Sequence, residues 1–252
     1  MHSSRSLKLS TTFKWLLAAG MVSTLVACGG DGGSEPVTPP PVPKKTLTIV
    51  GTAATGLAIA NGAITATCRV GTGTATSGAD GTYTVTTVAT TADAVGPCVL
   101  TAATSGGATL RSFAPGDGSR ANITPLTELL VSYVATQTGA GATSTPAALV
   151  GNTSLQNVIS NNTVLTASAN KLIEVIKATA GADVVIPSNF LSTPLTAATA
   201  ANPNAGDALD KVLDTLKARA VITATGAPST VVAQAAVQNA AQNTITGATG
   251  GN

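Results

Sequence analysis

Thr124-Pro125-Leu126-Thr127-Glu128-Leu129-Leu130 divides this chain in two. Thr124 can cap a helix with its hydroxyl. Pro125 suits the first helical position, where an N–H would have no partner anyway. Glu128 falls in the first turn, which the helix dipole makes favourable for an acid. Leu126, Leu129, Leu130, Tyr133 and Val134 then recur at i, i+3, i+4, i+7 and i+8, one apolar stripe. A second stripe is Leu165, Ala169, Leu172, Ile173 and Ile176. A third is Leu209, Val212, Leu213 and Leu216, with Asp207 and Asp210 early and Lys217 and Arg219 late, as the dipole favours. Thr230 to Gln242, rich in Ala and Gln, has good helix propensity and a weak apolar face. The connection from Gln137 to Ala147 reads as a polar loop.

Upstream of the junction the period changes from helical to two. TLTIVGT, AITATCRV, TYTVTTV, CVLTAAT and ATLRSF read as strands, separated by TGLAIANG, GTGTATSGADG, ATSGG and APGDG. In Thr82-Tyr83-Thr84-Val85-Thr86, Tyr83 and Val85 would face one side and the threonines the other. Short strands at such regular spacing suggest an antiparallel sandwich or barrel. The expected fold is therefore α+β: an N-terminal antiparallel β-sandwich at 46–118 and a C-terminal α-helical domain at 119–252.

The first 27 residues have the parts of a signal peptide. Arg5, Lys8 and Lys14 are basic, Trp15 to Val26 are apolar, and small residues follow. A helix over that apolar run would reach roughly 18 Å, short of the roughly 30 Å of a bilayer core. Leu25-Val26-Ala27-Cys28 resembles the lipobox of bacterial lipoprotein precursors. The resemblance implies cleavage before Cys28, a diacylglyceryl thioether on its sulfur and an N-acyl chain. Several acyl chains anchor far more firmly than one. Gly29 rather than Asp follows the cysteine, a sorting pattern that in enterobacterial lipoproteins implies the outer membrane. Residues 28–45 then form a Gly/Pro-rich tether. Its prolines favour polyproline II, and fully extended it would span roughly 50 Å.

Cutting at Cys28 alters the chemistry available. The 252-residue chain carries 13 basic and 11 acidic residues. The leader holds three of the basic ones, so the mature charge is −1 and gives no argument for nucleic-acid binding. The only histidine, His2, and the only tryptophan, Trp15, also go. Ser-His-Asp and Cys-His catalysis and imidazole metal sites go with them. Four aromatic residues remain, Tyr83, Phe113, Tyr133 and Phe190, too few for the platforms that sugar stacking needs. No cofactor or metal site is expected. Asp207, Asp210 and Asp214 could share a helix face and do acid–base work or bind calcium. A solvated face with Lys211 and Lys217 interleaved is the simpler reading.

Cys68 and Cys98 lie in two expected strands. In an exported protein such a pair reads as a disulfide, worth roughly 3–4 kcal/mol for a loop of about 30 residues. A free thiol, or a metal pair completed by carboxylates, is the alternative.

Asn61-Gly62-Ala63-Ile64-Thr65 and Thr76-Ser77-Gly78-Ala79-Asp80-Gly81-Thr82-Tyr83-Thr84-Val85 resemble the carboxypeptidase regulatory-like (transthyretin-like) β-sandwich domains. Those carry a Gly-Ala-x-Val-type strand and, further on, T-x-x-D-G-x-Y. Asp80-Gly81 would make the tight turn and Tyr83 would point inward. Ser77-Gly78-Ala79 departs from the family's usual Thr-Asp-x. Ala121-Asn122-Ile123-Thr124-Pro125-Leu126-Thr127 is similar to a hinge found in uncharacterised proteobacterial lipoproteins, where a β-sandwich leads into helices. Asn122-Ile123-Thr124 also matches a glycosylation sequon, read here as chance and as a helix cap.

The function expected is a non-catalytic structural or binding role at the cell envelope. Its partners would be the membrane, through lipid on Cys28, and an envelope protein. A surface-exposed adhesion or assembly module is the alternative; a hydrolase using carboxylates alone, such as Asp207 and Asp214, is a third.

Overall fold

The computed structural model describes residues 42–245. The leader, Cys28 and the tether as far as residue 41 lie outside the described residues, as do residues 246–252. The described residues form one compact unit. Six strands are followed by six helices: β1 Leu47–Thr52, β2 Ala63–Val70, β3 Thr72–Thr76, β4 Thr82–Thr87, β5 Val95–Ala103 and β6 Thr109–Ala114, then α1 Pro125–Gln137, α2 Pro146–Gly151, α3 Thr153–Ser160, α4 Asn162–Ala180, α5 Ala208–Ala218 and α6 Thr230–Gln242. The fold is mixed α+β with antiparallel strand pairing.

The strands form a two-stranded sheet, β1-β4, and a four-stranded sheet, β3-β2-β5-β6. In β4 the expected alternation holds: Tyr83, Val85 and Thr87 are buried while Thr82, Thr84 and Thr86 are exposed. Ile49 and Val85 of the smaller sheet pack in one apolar cluster with Ile64, Leu100 and Leu110 of the larger. Strand β5 alternates differently. Leu100 joins this cluster, whereas Val99 joins a second one with Phe113, Leu126, Leu129 and Tyr133. The larger sheet is thus apolar on both faces, and the helices cover the second. This explains why Cys98-Val99-Leu100 is buried without a break.

Strand β3 lies where the sequence suggested only a loop. The two glycines of Gly71-Thr72-Gly73 do different work. Gly71 has φ 98° and makes the turn out of β2. Gly73 is inside the strand, where a Cβ would come 2.3 Å from the Thr86 carbonyl oxygen. It permits the close approach of β4 rather than ending a strand. Helices α2 and α3 were also not foreseen. They are too short to display a stripe, and their caps, Thr145 and Asn152, each accept from a backbone amide of the first turn.

The helix start at the junction has the expected cap. The Thr124 hydroxyl accepts from the Thr127 amide, and the Thr127 hydroxyl in turn accepts from the Thr124 amide. Glu128 turns instead to Arg111 in β6. Its carboxylate accepts from the Arg111 backbone amide at 2.8 Å and from the guanidinium. Thr127 donates to the Arg111 carbonyl at 2.9 Å. Both peptide groups of Arg111 are therefore closed off by the first turn of α1, which leaves that part of the β6 edge no free template for another strand.

Candidate functional site

Cys68 and Cys98 sit directly opposite each other in the β2–β5 ladder and form a disulfide. The pair is part of the β cluster and serves structure; Cys68 is 5% exposed and Cys98 fully buried. Asn122 of the sequon is fully buried. Its amide donates to the carbonyls of Phe190 and Thr193, at 3.1 and 2.6 Å. It ties the 190–195 segment to the end of β1, where the Thr52 hydroxyl donates to the Leu195 carbonyl at 2.8 Å.

The three aspartates of α5 do not form the solvated face expected of them. Asp207 is the helix cap and also accepts from the Thr196 amide at 2.7 Å. Asp214 is exposed. Asp210 is only 1% exposed. One of its oxygens accepts from the Ala198 amide at 3.1 Å, and Oδ1 has no partner. Burial raises its pKa from 3.8 to about 6, helped by the charges of Asp214 and Asp207 and opposed by the Ala198 hydrogen bond. The sequence placed Asp210 with its neighbours on a charged helix face. The tertiary strap at 195–199 is what covers it. The Ala198 carbonyl in turn accepts from the Ala58 amide at 2.8 Å.

That last bond leads to the site. After β1 the chain makes a turn at 53–62 before entering β2. Gly56, with φ 94°, rests against Asp214 so closely that a Cβ would lie 2.4 Å from its Oδ1. Asn61 takes a left-handed conformation with φ 54°, which Asn tolerates better than most residues. A cleft of about 620 Å³ opens beside this segment, bounded by the 103–105 turn, the last turn of α5 and residues 224–225. Its size is that of a small-molecule site, roughly 300–1,000 Å³. A second hollow of about 420 Å³, which Asp80 lines, lies beside the same segment; Leu57, Ala58 and Ala60 line both.

The lining of the larger cleft mixes apolar residues such as Leu57 and Ile59 with polar ones. Thr104 is occupied: its hydroxyl donates to the Thr225 carbonyl and accepts from the Ala108 amide. The side chains of Thr55, Asn61, Ser105 and Lys217 are not. None has a hydrogen-bond or ion-pair partner among the described residues. Four free polar side chains, two from the 53–62 turn and one each from the 103–105 turn and α5, thus border one cavity. Lys217 is the only titratable residue among those lining it. Among the described residues no group of three or more His, Cys, Asp and Glu could hold a metal ion. None of the described helices is long and apolar enough to cross a membrane.

No signal in the sequence pointed to this cleft. Lys217 read as a partner for the helix dipole, and Thr55, Asn61 and Ser105 as turn residues. No family model, curated protein or solved structure matches the chain.

Proposed function

We propose that this is a lipid-anchored cell-envelope protein with a non-catalytic binding role, held through Cys28 at the outer membrane by the Gly/Pro-rich tether. We read the six strands as a transthyretin-like β-sandwich that leads into the helical region. The Asp80-Gly81 turn supports that reading: Gly81 has φ 78°, Asp80 accepts from the Thr82 amide and hydroxyl, and Tyr83 points inward to donate to the Ala121 carbonyl. The anchor rests on Leu25-Val26-Ala27-Cys28. The observation that carries the binding role is the cleft bordered by Thr55, Asn61, Ser105 and Lys217. Its lining offers hydrogen bonds and one charge but no acid–base pair.

The anchor is tested by Cys28→Ala. The variant is expected in the soluble fraction and the parent in the membrane fraction; a variant that stays with the membrane sinks the lipid anchor. Protease treatment of intact cells then separates outward display, as an adhesion module needs, from a protected periplasmic position.

A further inference from the structure

The cleft has a sign. Lys217, a part-buried residue, lines its wall, and no acidic residue among the described ones does. Asp214, one turn earlier on α5, turns to Gly56 and makes no ion pair with Lys217. Asp80 lines the neighbouring hollow but not this cleft. A lysine on a cavity wall that makes no ion pair gains from any anion that can reach it. The remaining free groups are neutral and capable of both donating and accepting: the hydroxyls of Thr55 and Ser105 and the amide of Asn61. Aromatic side chains are missing from the lining, so stacking contributes nothing and recognition rests on charge and hydrogen bonds.

We infer that the cleft binds a small polyhydroxylated anion, of the sugar-acid or sugar-phosphate class, with the anionic group on Lys217 and the hydroxyls on Thr55, Asn61 and Ser105. The inference rests on the binding role proposed above and gives it a ligand class. Lys suits either anion, since its ammonium acts as a point charge and does not demand the planar fork of a guanidinium partner. Three hydrogen-bonding side chains around one charge fix orientation as well as affinity.

The test is equilibrium dialysis of the full chain in detergent with labelled glucuronate, glucose 6-phosphate and glucose. Saturable binding of at least one charged probe is expected, with glucose at least tenfold weaker. Lys217→Met, which keeps an unbranched apolar stem, should weaken the charged probe at least tenfold, and Lys217→Arg should retain most of it. Ser105→Ala should weaken binding severalfold without changing the preference for charge. Unfolding midpoints of the variants close to the parent's separate lost binding from lost folding. Equal binding of glucose and the charged probes, or Lys217→Met binding as well as the parent, overturns the anion inference and leaves a neutral-ligand cleft standing. Failure of all three probes to bind saturably overturns the inference too. The Cys28→Ala fractionation reports on the anchor independently of either result.

Discussion

Asp210 holds its proton more tightly in the folded protein than in the unfolded chain. Below pH 3.8 both states are protonated and burial of the neutral acid costs little. Above about 6 both are ionised, and the fold must accommodate a charge that is 1% exposed with one oxygen unpartnered. Stability is therefore expected to fall as pH rises across that interval, by on the order of 3 kcal/mol. Asp80 and Asp183 act in the opposite sense. Hydrogen bonds from Thr82 and from Arg219 hold them below the ordinary carboxylate value, so their contribution is present above it and lost as pH falls through their lowered values. The two effects occupy different ranges and can be told apart. In Asp210→Asn the side-chain oxygen still accepts from the Ala198 amide, and no charge is buried. Urea unfolding at several pH values between 4 and 7 should show a declining stability for the parent and a flatter curve for the variant. Parallel curves would show that Asp210 ionises in water-like surroundings.

Among the elements, the junction of α1 with β6 carries the clearest energetic expectation. Arg111 and Glu128 have side chains 12% and 14% exposed, and the guanidinium also donates to Ser132 and to the carbonyls of Ala142 and Ser144. Removing Glu128 alone leaves a nearly buried cation unpaired and the Arg111 amide at the sheet edge exposed. Glu128→Ala should destabilise the protein by about 3–5 kcal/mol and, through the opened edge, increase self-association in gel filtration. Replacing both partners together, Arg111→Met with Glu128→Leu, should recover a large part of that stability. If the double variant is as unstable as the single one, the unpaired charge is not the cause. The β2–β5 disulfide gives a second expectation at this scale. Joining residues 30 apart, it should contribute roughly 3–4 kcal/mol. Cys68→Ala with Cys98→Ala should lower the urea midpoint accordingly, and the parent under reducing conditions should approach the double variant. What the sequence disclosed at this level follows from length and repetition. Strands such as Thr82–Thr87 and helices such as Asn162–Ala180 repeat a period often enough to show it. Strand β3 does not, because Gly73 answers to β4 rather than to its own strand. The tie between Glu128 and Arg111 was invisible because a first-turn acid is already accounted for by the helix dipole.

At the scale of the whole molecule, the four-stranded sheet is the shared centre, with one apolar cluster on each face. The composition change at the junction marked where strands give way to helices. It could not show that Val99 and Phe113 look toward those helices while Leu100 and Leu110 look away. The cleft was out of reach for a related reason. Its four free side chains come from positions 55, 61, 105 and 217, and only folding brings them to one cavity. Each, taken alone, is an ordinary turn or helix-end residue. Asp210 shows the same limit, since Ala198 of the strap that covers it lies twelve positions earlier in the chain.

Strand β1 joins the two ends of the proposed role. Lys45, just before it, is fastened to Asp93 and Ala94, and Thr55, three residues past its end, borders the cleft. A β-strand rises about 3.3 Å per residue, close to the greatest length a peptide can reach. From Leu47 to Thr52 the polypeptide is therefore already drawn nearly taut. Tension between an immobilised ligand at Thr55 and the lipid would pass along this cord of covalent bonds, with little slack to take up.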